Sequence, residues 1–546
     1  MDWPDNDRHT PYKSPFWAQR DFGSMRVFHR GVVTALSQFG SWGGCDEKDL
    51  LIQVTKWAQS QDSCFALVVE SSNWIIGVVD RVRSIPLYYD NCLQSPRVSD
   101  SPYSLTLDEK NLSWRAESVR EMLLSGYVHG VNTLVENIST VAAGTAVVLN
   151  KTSCEKKVIP YFDYFPEQDV PVTDRELVSR WSIALDRVFS DLAEDLSAKD
   201  VLVPLSGGLD SRLVLAKLWE HGCKKILAFS YGVKDNDEIK TAKLVATKLG
   251  VEWVCLDSQT DRLRDLYSSE ERKNYSKFSG ALHITPSFLE YEAIQRLKVL
   301  GRLSNNPVIV NGLSGDFLFG GHVPDEVVGM PTREVVIRKI IQKHVSQIKS
   351  EDLSEFTLSI ETRLRNELDI LDIQDGDTQR LCAFVENWDW KERQAKAVMV
   401  HQRAYEFFGV DWRLPLWDKR LLTVASQIPL NGRHRQRTHL QYLEQSNHRE
   451  LFVVPRVETK LWQGRWRLTP IVVKSATFAL GRGVRSWCYR KLFYFGYYRH
   501  QLGLFGIRKF WQLSKISRPP YVVPIATILN LKEIGVLIDA YLDKRT

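Results

Sequence analysis

The segment VLVPLSGGLDSRLVLAKLWEHG, residues 201–222, constrains the fold of this chain more than any other stretch. An apolar run leads into two serines, two glycines and an aspartate, and a second apolar run follows and ends at Gly222. This order predicts a buried strand at residues 201–205, a tight loop, and a helix over residues 211–219. Such a loop places free backbone N–H groups at the positive end of a helix dipole, which favours the binding of an anion such as phosphate.

The side chains of this loop indicate how it would hold the anion. Gly207 and Gly208 are expected to let the backbone approach the anion in conformations that a Cβ would forbid. The hydroxyls of Ser206 and Ser211 can donate to phosphate oxygens, whereas Asp210 would repel phosphate unless a cation such as Mg²⁺ lies between them. The lysine of a Walker A loop is absent. A plain turn in which Asp210 caps the helix is the alternative, but the complete S-G-G-x-D-S pattern between two apolar elements favours phosphate binding.

Hydrophobic periodicity divides the chain into regions. Residues 1–165 read as strands and turns with a hairpin at residues 64–80, and the segment 160–174 is a linker after which Thr173 caps a helix. From residue 176, helices alternate with strands that are apolar on both faces, which predicts an α/β fold with a parallel sheet covered by helices. The strands are expected at 201–205, 224–232, 251–257 and 307–312. From residue 333 the chain reads as mainly helical, with irregular segments at 410–422 and 454–466.

The composition narrows the class of protein. With 546 residues the chain is too long for one compact core, so two or three domains are expected. A net charge of +6 is mild for this length, and no nucleic-acid partner is expected. The eight cysteines are scattered singly, as in a reduced intracellular chain. Neither a secretory signal nor a run of roughly 18–20 apolar residues is visible, so we expect a cytoplasmic protein without a transmembrane segment.

The loop resembles the pyrophosphate-binding loop of the PP-loop ATP pyrophosphatases, specifically of the synthetase domain of class B asparagine synthetases and of the related β-lactam and lasso-peptide synthetases. Further motifs resemble this family in the right order, and together they cover most of residues 176–470. They are FSYGVKDNDEIKTAKLVATKLGVEW at 229–253, NGLSGDFLFGG at 311–321, DWRLPLWDKRLL at 411–422 and RVETKLWQG at 456–464.

The N-terminal region resembles the glutaminase domain of the same family, which has the αββα fold of N-terminal-nucleophile hydrolases. GVVDRVRSIPLYYD at 77–90 carries this resemblance. That family uses a cysteine directly after the initiator methionine, whereas this chain has Asp2 there. Cys45 and Cys64 are internal, so neither has the free α-amine that serves as the base, and burial is the expected role of both. The resemblance therefore implies a degenerate glutaminase-like domain over 1–165, followed by the synthase-like domain at 176–470 and a helical, aromatic and basic extension at 471–546.

The resemblance also implies a chemistry and residues that perform it. In this family a carboxylate attacks the α-phosphorus of ATP, pyrophosphate leaves, and a nitrogen nucleophile then displaces AMP to form an amide. Asp210 and Asp316 would ligate Mg²⁺, and Lys460 would neutralise the α-phosphate region. The groups expected to hold ATP and pyrophosphate are Leu205, Ser206, Gly207, Gly208, Asp210, Ser211, Phe229 and Gly312, with backbone groups of Leu205 and Phe229 at the adenosine. Asp411 would either assist deprotonation of the amine or pair with Arg413, and both interpretations stay open.

Departures from the family pattern concern the substrate. Leu313 stands where the family has glutamate or tyrosine, Phe317 replaces an acid, and Leu282 replaces an arginine that helps hold aspartate. Losing an arginine at a carboxylate-binding position argues against aspartate as the substrate. Two basic stretches are also present. Residues 433–437 are expected to be a solvated loop, and the aromatic and basic residues 486–513 recur at helical spacing, which predicts packing against the domain or a partner subunit.

These observations predict an ATP- and Mg²⁺-dependent, AMP-forming carbon–nitrogen ligase. It would activate a small-molecule or peptide carboxylate other than aspartate and join it to ammonia or an amine, without glutaminase activity of its own. An intramolecular amide synthetase that closes a β-lactam or macrolactam is one alternative, and a nucleotide-binding pseudoenzyme is another. A homodimer stays open as the assembly state.

Overall fold

A computed structural model describes residues 16–90, 96–106, 112–153, 155–166, 172–223, 225–232, 234, 236–258, 260–349, 352–455, 457, 472, 475–476, 481–497 and 502–541. The fold is α/β, as predicted. Antiparallel sheets form the N-terminal part of the chain, and a parallel sheet covered by helices forms the part that follows. The predicted domain boundaries at residues 165, 176 and 470 stay a prediction.

The N-terminal part contains two antiparallel sheets between helices. A six-stranded sheet has the order β1-β2-β3-β4-β8-β9, and a three-stranded sheet has the order β6-β5-β7. Their strands are β1 Ala18–Phe22, β2 Met25–Gly31, β3 Phe65–Glu70, β4 Trp74–Val79, β5 Tyr88–Asp90, β6 Val98–Ser99, β7 Ile138–Thr140, β8 Thr145–Asn150 and β9 Lys156–Pro160. The predicted hairpin is the antiparallel pair β3 and β4.

Alternating side chains of β3 show how these layers pack. Leu67 and Val69 lie in one apolar cluster with the helix Glu47–Ser60. Ala66 and Val68, on the opposite face, lie in another cluster with side chains of the small sheet. The far face of that small sheet packs against the helix Ala116–Ser125. Because successive side chains of a strand point to opposite faces, a fully apolar strand implies two covered faces. The result is the expected αββα arrangement.

The parallel sheet has five strands in the order β12-β11-β10-β13-β14. The strands are β10 Asp200–Pro204, β11 Ile226–Gly232, β12 Glu252–Asp257, β13 Pro307–Val310 and β14 Asp411–Arg413. The strand order reverses between β10 and β13, and ligands of such sheets bind outside the carboxyl ends of the strands at this switch point. The first four strands agree with the prediction. The fifth was wrongly interpreted as irregular, because three residues before a turn carry too little periodicity to show a strand.

Helices make up most of the remaining structure. They are α1 Glu47–Ser60, α2 Pro102–Leu105, α3 Ala116–Ser125, α4 Asp174–Asp195, α5 Leu209–Glu220, α6 Asp237–Leu249, α7 Thr260–Ser268, α8 Glu270–Gly280, α9 Leu289–Val299, α10 Gly315–Leu318, α11 Asp325–Gly329, α12 Arg333–His344, α13 Asp352–Ile370, α14 Thr378–Trp388, α15 Gln402–Phe407, α16 Lys419–Ser426, α17 Leu430–Arg433, α18 Arg437–Gln445, α19 Gly481–Tyr497, α20 Gly506–Leu513 and α21 Val522–Glu533. Thr173 caps α4 by accepting from the N–H of Glu176, as expected. No helix in the described part of the chain combines the length and apolarity needed to cross a bilayer.

A π-helical segment, Asp389–Val398, joins the N-terminal sheets to the parallel-sheet region. The indole N–H of Trp390 donates to the carbonyl of Arg81 over 2.7 Å. The Lys396 ammonium donates to the carbonyl of Val128 over 2.8 Å and to the carboxylate of Glu392 over 2.5 Å. That carboxylate also accepts from the N–H of Gly130 over 3.0 Å. Buried, directional contacts of this kind specify one relative position of the two regions.

The carboxylate of Glu392 makes the stability of this junction pH-dependent. Burial would raise the pKa of Glu392, but the charge and hydrogen bond of Lys396, together with the N–H of Gly130, outweigh burial and lower the pKa from 4.5 to about 2. A depressed pKa stabilises the folded state above pH 4.5, and this contribution is lost as the pH falls from 4.5 to about 2.

We expect Glu392→Gln to lower the thermal midpoint at pH 7, because breaking a buried ion pair costs about 3 kcal/mol. The difference from wild type should shrink as both proteins are titrated to pH 3, measured by circular dichroism. The matched control is Glu155→Gln on the exposed turn before β9, which should leave the midpoint unchanged. A constant difference across this pH range would contradict the role assigned to the carboxylate.

Candidate nucleotide and metal site

Two loops meet at the switch point of the parallel sheet. The first loop follows β10 and leads into α5; together they carry Ser206 and Asp210. The second follows β13 and leads into α10; together they carry Gly312 and Asp316. Because both strands end at the same edge of the sheet, residues about 100 positions apart in sequence come into contact. The backbone N–H of Asp316 donates to the carboxylate of Asp210 over 2.8 Å.

The amino end of α5 is open toward the cavity at this edge. Its N-cap is Gly208, which has no side chain to satisfy the first N–H groups of the helix. The hydroxyls of Ser206 and Ser211 are 3.0 Å apart, and the Ser206 hydroxyl accepts from the N–H of Gly208 over 3.1 Å. Since the first turn of a helix leaves N–H groups without intrahelical partners, this end can accept an anion.

The structure changes the reason for the two glycines of this loop. Neither Gly207 nor Gly208 has a positive φ, so the expected unusual backbone conformation is not observed. Space is what they supply. A Cβ on Gly207 would lie 3.2 Å from the Glu238 side chain and 3.3 Å from that of Val457, and one on Gly208 would lie 3.2 Å from the Ser206 hydroxyl. These distances are tighter than ordinary contacts, so a larger residue would displace the loop.

Two glycines of the second loop allow it to touch the first. A Cβ on Gly312 would lie 2.9 Å from the carbonyl oxygen of Asp210. A Cβ on Gly315 would overlap the Asp210 carboxylate, at 2.7 Å from each oxygen. The contact between Asp210 and Asp316 therefore requires glycine at both positions.

Arg212, the last residue of the SGGLDSR motif, ties the loop to a distant part of the chain. Its side chain is fully buried. The guanidinium donates to the carbonyls of Gly207 over 3.1 Å, of Leu451 over 2.9 Å and of Val454 over 2.7 Å. Burial lowers the pKa of Arg212 to about 10, which still leaves it charged at neutral pH. Arg212 thus holds the chain that leads toward residue 460 against the loop.

A chain of polar contacts orients the second carboxylate. The Asp316 side chain is 50% exposed and lies 3.0 Å from Nε2 of His322, whose Nδ1 lies 3.0 Å from the buried Asp389. Burial alone would lower the pKa of His322, but the two carboxylates outweigh it and raise the pKa. Burial would raise the pKa of Asp316, but the hydrogen bond and charge of His322 lower it. Asp316 is therefore kept ionised and fixed in orientation, as carboxylates that ligate metals usually are.

The two loops line a cavity of about 610 Å³. Its described lining includes five carboxylates, from Asp210, Glu238, Glu290, Glu292 and Asp316, and no lysine, arginine or histidine. An anionic ligand can enter such a cavity only together with cations. Asp210 and Asp316 supply the carboxylate oxygens that Mg²⁺ prefers, and Mg²⁺ usually takes one or two carboxylates and completes its shell with water and phosphate oxygens. The described residues contain no group of three or more metal-binding side chains.

Most of the predicted binding residues meet at this cavity. Those that line it are Leu205, Ser206, Gly208, Asp210, Ser211, Gly312 and Asp316. Gly207 lies within the same loop, where its carbonyl accepts from Arg212. Phe229 does not line the cavity: its ring is buried, and its carbonyl accepts from the N–H of Leu205 over 2.8 Å. The next residues of β11, Ser230, Tyr231 and Gly232, line the cavity in its place.

Of the two predicted catalytic residues, Asp411 lies in the described structure and Lys460 does not. Asp411 pairs with Val308 in the parallel sheet and so lies level with Val201, at the end of the sheet away from the loops. Its carboxylate lies 2.7 Å from the guanidinium of Arg413, which corresponds to the ion-pair interpretation. The structure gives no geometric support to its other role in deprotonation. Lys460 lies outside the described residues, so its role stays a prediction.

Other expectations change once burial is known. Phe317 packs against Tyr164 and Trp417 and is fully buried, so it belongs to the core rather than to a lost acidic site. The basic stretch 433–437 is not a solvated loop throughout, because Arg433 is buried against Glu386. In the described parts of 486–513, Tyr494, Phe510 and Leu513 are buried in an apolar cluster, which is the expected packing against the domain.

Sequence reasoning missed several residues of the cavity. Glu290 and Glu292 lie in α9, and Gln436 lies between two short helices. No motif marks them, because they reach the cavity only through the packing of elements far apart in sequence. Glu238 could have been predicted from the sequence. It lies in the first turn of α6, the helix that follows β11, and the carboxyl end of such a strand is where a ligand cavity is expected.

The geometry of the site can be compared with known proteins. Residues 196–451 match the sequence model of the asparagine synthase family. No curated protein is matched. Among solved structures the chain is similar to an NH₃-dependent NAD synthetase from Campylobacter jejuni, at 16% identity over 38% of this chain and 92% of that chain, with a TM-score of 0.21.

Two further structures show weaker similarity. One is an allosteric regulatory enzyme of purine biosynthesis, at 11% identity over 54% of this chain and 55% of that chain, with a TM-score of 0.16. The other is the glutamine phosphoribosylpyrophosphate amidotransferase of B. subtilis, at 9% identity over 55% of this chain and 64% of that chain, with a TM-score of 0.16. At these TM-scores the structures carry no argument. The family match supports an ATP-dependent, amide-forming ligase as the general class.

The close approach at Gly315 gives a direct test of the site. Gly315→Ala should push the Asp210 carboxylate away and weaken Mg²⁺-dependent ATP binding at least about tenfold, since a lost charge-assisted contact is worth about 1.5–3 kcal/mol. Isothermal titration calorimetry measures the affinity. Gly329→Ala is the matched control, because a Cβ there meets nothing within 4 Å and should leave affinity unchanged. Equal affinities for wild type, Gly315→Ala and Gly329→Ala would show that ATP binding does not require the contact between the two loops.

Proposed function

We propose that this protein is an ATP- and Mg²⁺-dependent ligase that adenylates a carboxylate other than aspartate. It then transfers the acyl group to ammonia or an amine, with release of AMP and pyrophosphate. The observation that carries the proposal is that the amino end of α5, which has no side-chain cap and contains Asp210, lines one cavity together with Asp316, inside the segment that matches the asparagine synthase family.

The first turn of α5 would hold the pyrophosphate end of ATP. Its N–H groups and the hydroxyls of Ser206 and Ser211 supply donors at one place, where negative charge grows as the bond to the α-phosphorus breaks. Asp210 and Asp316 would hold Mg²⁺, which supplies charge neutralisation between the carboxylates and the phosphates. These groups are oriented before ATP arrives, so little reorganisation is needed during the reaction.

The activation step needs no covalent enzyme intermediate. A carboxylate oxygen of the substrate attacks the α-phosphorus, the bond to the bridging oxygen breaks, and its electron pair leaves with pyrophosphate. The nitrogen nucleophile then attacks the acyl carbon, loses a proton, and AMP leaves with the former carboxylate oxygen. Such reactions depend on positioning and on charge stabilisation.

Lys460 is proposed as the cation that neutralises the α-phosphate. Val457, three residues earlier, lies beside Gly207 of the loop. Three extended residues span at most about 11 Å, and this short separation in sequence supports the proposal. The absence of any basic side chain from the described lining of the cavity leaves this charge to be supplied by another segment.

The nitrogen is proposed to come from outside this chain. Burial, together with the nearby charge of Asp80, raises the pKa of the Cys64 thiol well above its ordinary value, so it stays protonated. A protonated thiol is a poor nucleophile. Cys45 is half-buried and its sulfur accepts from the side-chain amide of Gln53 over 3.0 Å, a packing role.

Carboxylate-dependent exchange between ATP and pyrophosphate tests the proposed function. A panel of acids is assayed with and without ammonium, glutamine and amines. Asp210→Asn and Asp316→Asn should each lower exchange about 100-fold, the usual cost of losing a group that stabilises transition-state charge. Asp325→Asn is the control, because this exposed aspartate pairs with Arg435 on the surface and should behave like wild type.

The other outcomes of this assay distinguish the alternatives. ATP binding without exchange for any acid would make the protein a nucleotide-binding pseudoenzyme. Formation of a cyclic product without added nitrogen donor would make it an intramolecular amide synthetase. Turnover that depends on glutamine in the pure protein would contradict the absence of glutaminase activity.

A further inference from the structure

A second cavity of about 410 Å³ adjoins the nucleotide cavity. Phe288, Leu289 and Leu504 line both cavities, so they form the wall between them. The remaining lining of the second cavity comes from widely separated parts of the chain, including Gly126, the π-helical segment and α21. Its volume lies within the range of small-molecule sites, roughly 300–1,000 Å³.

The second cavity has the opposite lining composition to the first. Its described lining contains five basic residues and no aspartate or glutamate, and the basic residues are Arg272, Lys343, His344, Arg393 and His401. The nucleotide cavity has carboxylates and no basic side chain in its described lining. An anion separate from the nucleotide can therefore bind in the second cavity at a basic residue that no carboxylate outside the lining neutralises.

Carboxylates outside the cavity lining neutralise most of these basic residues. Arg272 lies 2.6 Å from Glu533, Lys343 lies 3.1 Å from Asp389, and His401 lies 2.7 Å from Glu290. Burial lowers the pKa of His344 to about 3, which makes it neutral.

Arg393 differs from the other basic residues in its weak pairing. Its shortest ion pair in the described structure is 3.8 Å, to Asp389, and its side chain is 35% exposed. The guanidinium is thus the cationic group with most capacity left for an anion. Arg393 also lies in the π-helical segment, a local geometry that occurs often at functional sites.

Arg393 lies on the nucleotide side of the second cavity. It lies 3.8 Å from Asp389, and His322 joins Asp389 to Asp316 through contacts of 3.0 Å on each side. His401 of the same cavity lies 2.7 Å from Glu290, which lines the nucleotide cavity. A carboxylate held by Arg393 would consequently face the site of phosphate chemistry.

Apolar and aromatic groups form much of the rest of the second cavity. They include Tyr267, Tyr275, Phe505, Val522, Val523 and Ala526. Such a surface binds the apolar body of a ligand, while a single charged group fixes its orientation. A dicarboxylate such as aspartate would leave its second charge and its ammonium group against this surface, which costs free energy.

We propose that the second cavity binds an apolar monocarboxylic acid with an aromatic or extended hydrocarbon body, and that Arg393 holds its carboxylate. This rests on the proposed function, since the acid is the group to be adenylated. Its carboxylate oxygen forms the bond to the α-phosphorus at the wall shared by the two cavities, and the electron pair of the broken bond leaves with pyrophosphate.

Binding of phenylbutanoate, measured by calorimetry in the presence of a non-hydrolysable ATP analogue, tests this proposal. Arg393→Ala should weaken binding about 10- to 100-fold, because it removes a charge-assisted contact. Ala526→Trp should abolish binding by filling the cavity. Arg338→Ala, an exposed residue of α12, should have no effect. Unchanged affinity for the ATP analogue shows that each variant is folded, and phenylbutanol should bind weakly and without dependence on Arg393.

Exchange assays with phenylacetate, phenylbutanoate, phenylhexanoate and aspartate separate this proposal from the proposed function. If aspartate supports exchange that Ala526→Trp leaves intact, the acid site and the exclusion of aspartate as substrate are both refuted, while ATP-dependent ligase activity stands. If the phenyl acids bind as expected but none supports exchange, the ligase is refuted while the acid site stands. Failure of all the phenyl acids to bind wild type overturns the acid site.

Discussion

The contact between the Asp210 carboxylate and the backbone N–H of Asp316 is the interaction on which the site depends. It joins the loop after β10 to the loop after β13, so that two carboxylates and the open end of a helix face one cavity. Only glycine at residues 312 and 315 leaves room for this approach. The sheet supplies the geometry, since the two strands are neighbours at its switch point. A small change in either loop would separate groups that are useful only together.

The π-helical segment Asp389–Val398 links this site to the rest of the molecule. Through His322, Asp389 orients Asp316, while Glu392 holds the N-terminal region and Arg393 faces the second cavity. One short element therefore contacts the proposed metal site, the junction with the antiparallel sheets and the proposed acid site. This arrangement gives the N-terminal region a structural role, because its contacts with Lys396 and Glu392 fix the segment that carries Arg393.

Local patterns were sufficient to predict the parts of the structure with strong periodicity. The four parallel strands and the loop around Asp210 follow from apolar runs and glycines in the sequence, whereas the αββα layers were expected only from the family resemblance. Long-range packing was not predictable. Strand β14 is too short to show a period, Phe317 resembled a lost acid although it is a core residue, and Arg433 resembled a solvated base although it is buried. The second cavity leaves no local signal at all, because its walls come from residues more than a hundred positions apart.

The central claim is that a carboxylate is activated as an acyl-adenylate, and isotope transfer tests it most directly. The protein is given ATP, ammonium and an acid whose carboxylate is labelled with ¹⁸O, and the products are analysed by mass spectrometry. Attack on the α-phosphorus followed by displacement of AMP predicts one ¹⁸O in AMP and none in pyrophosphate. Release of ADP with ¹⁸O in inorganic phosphate would show an acyl phosphate in its place and would contradict the adenylation mechanism.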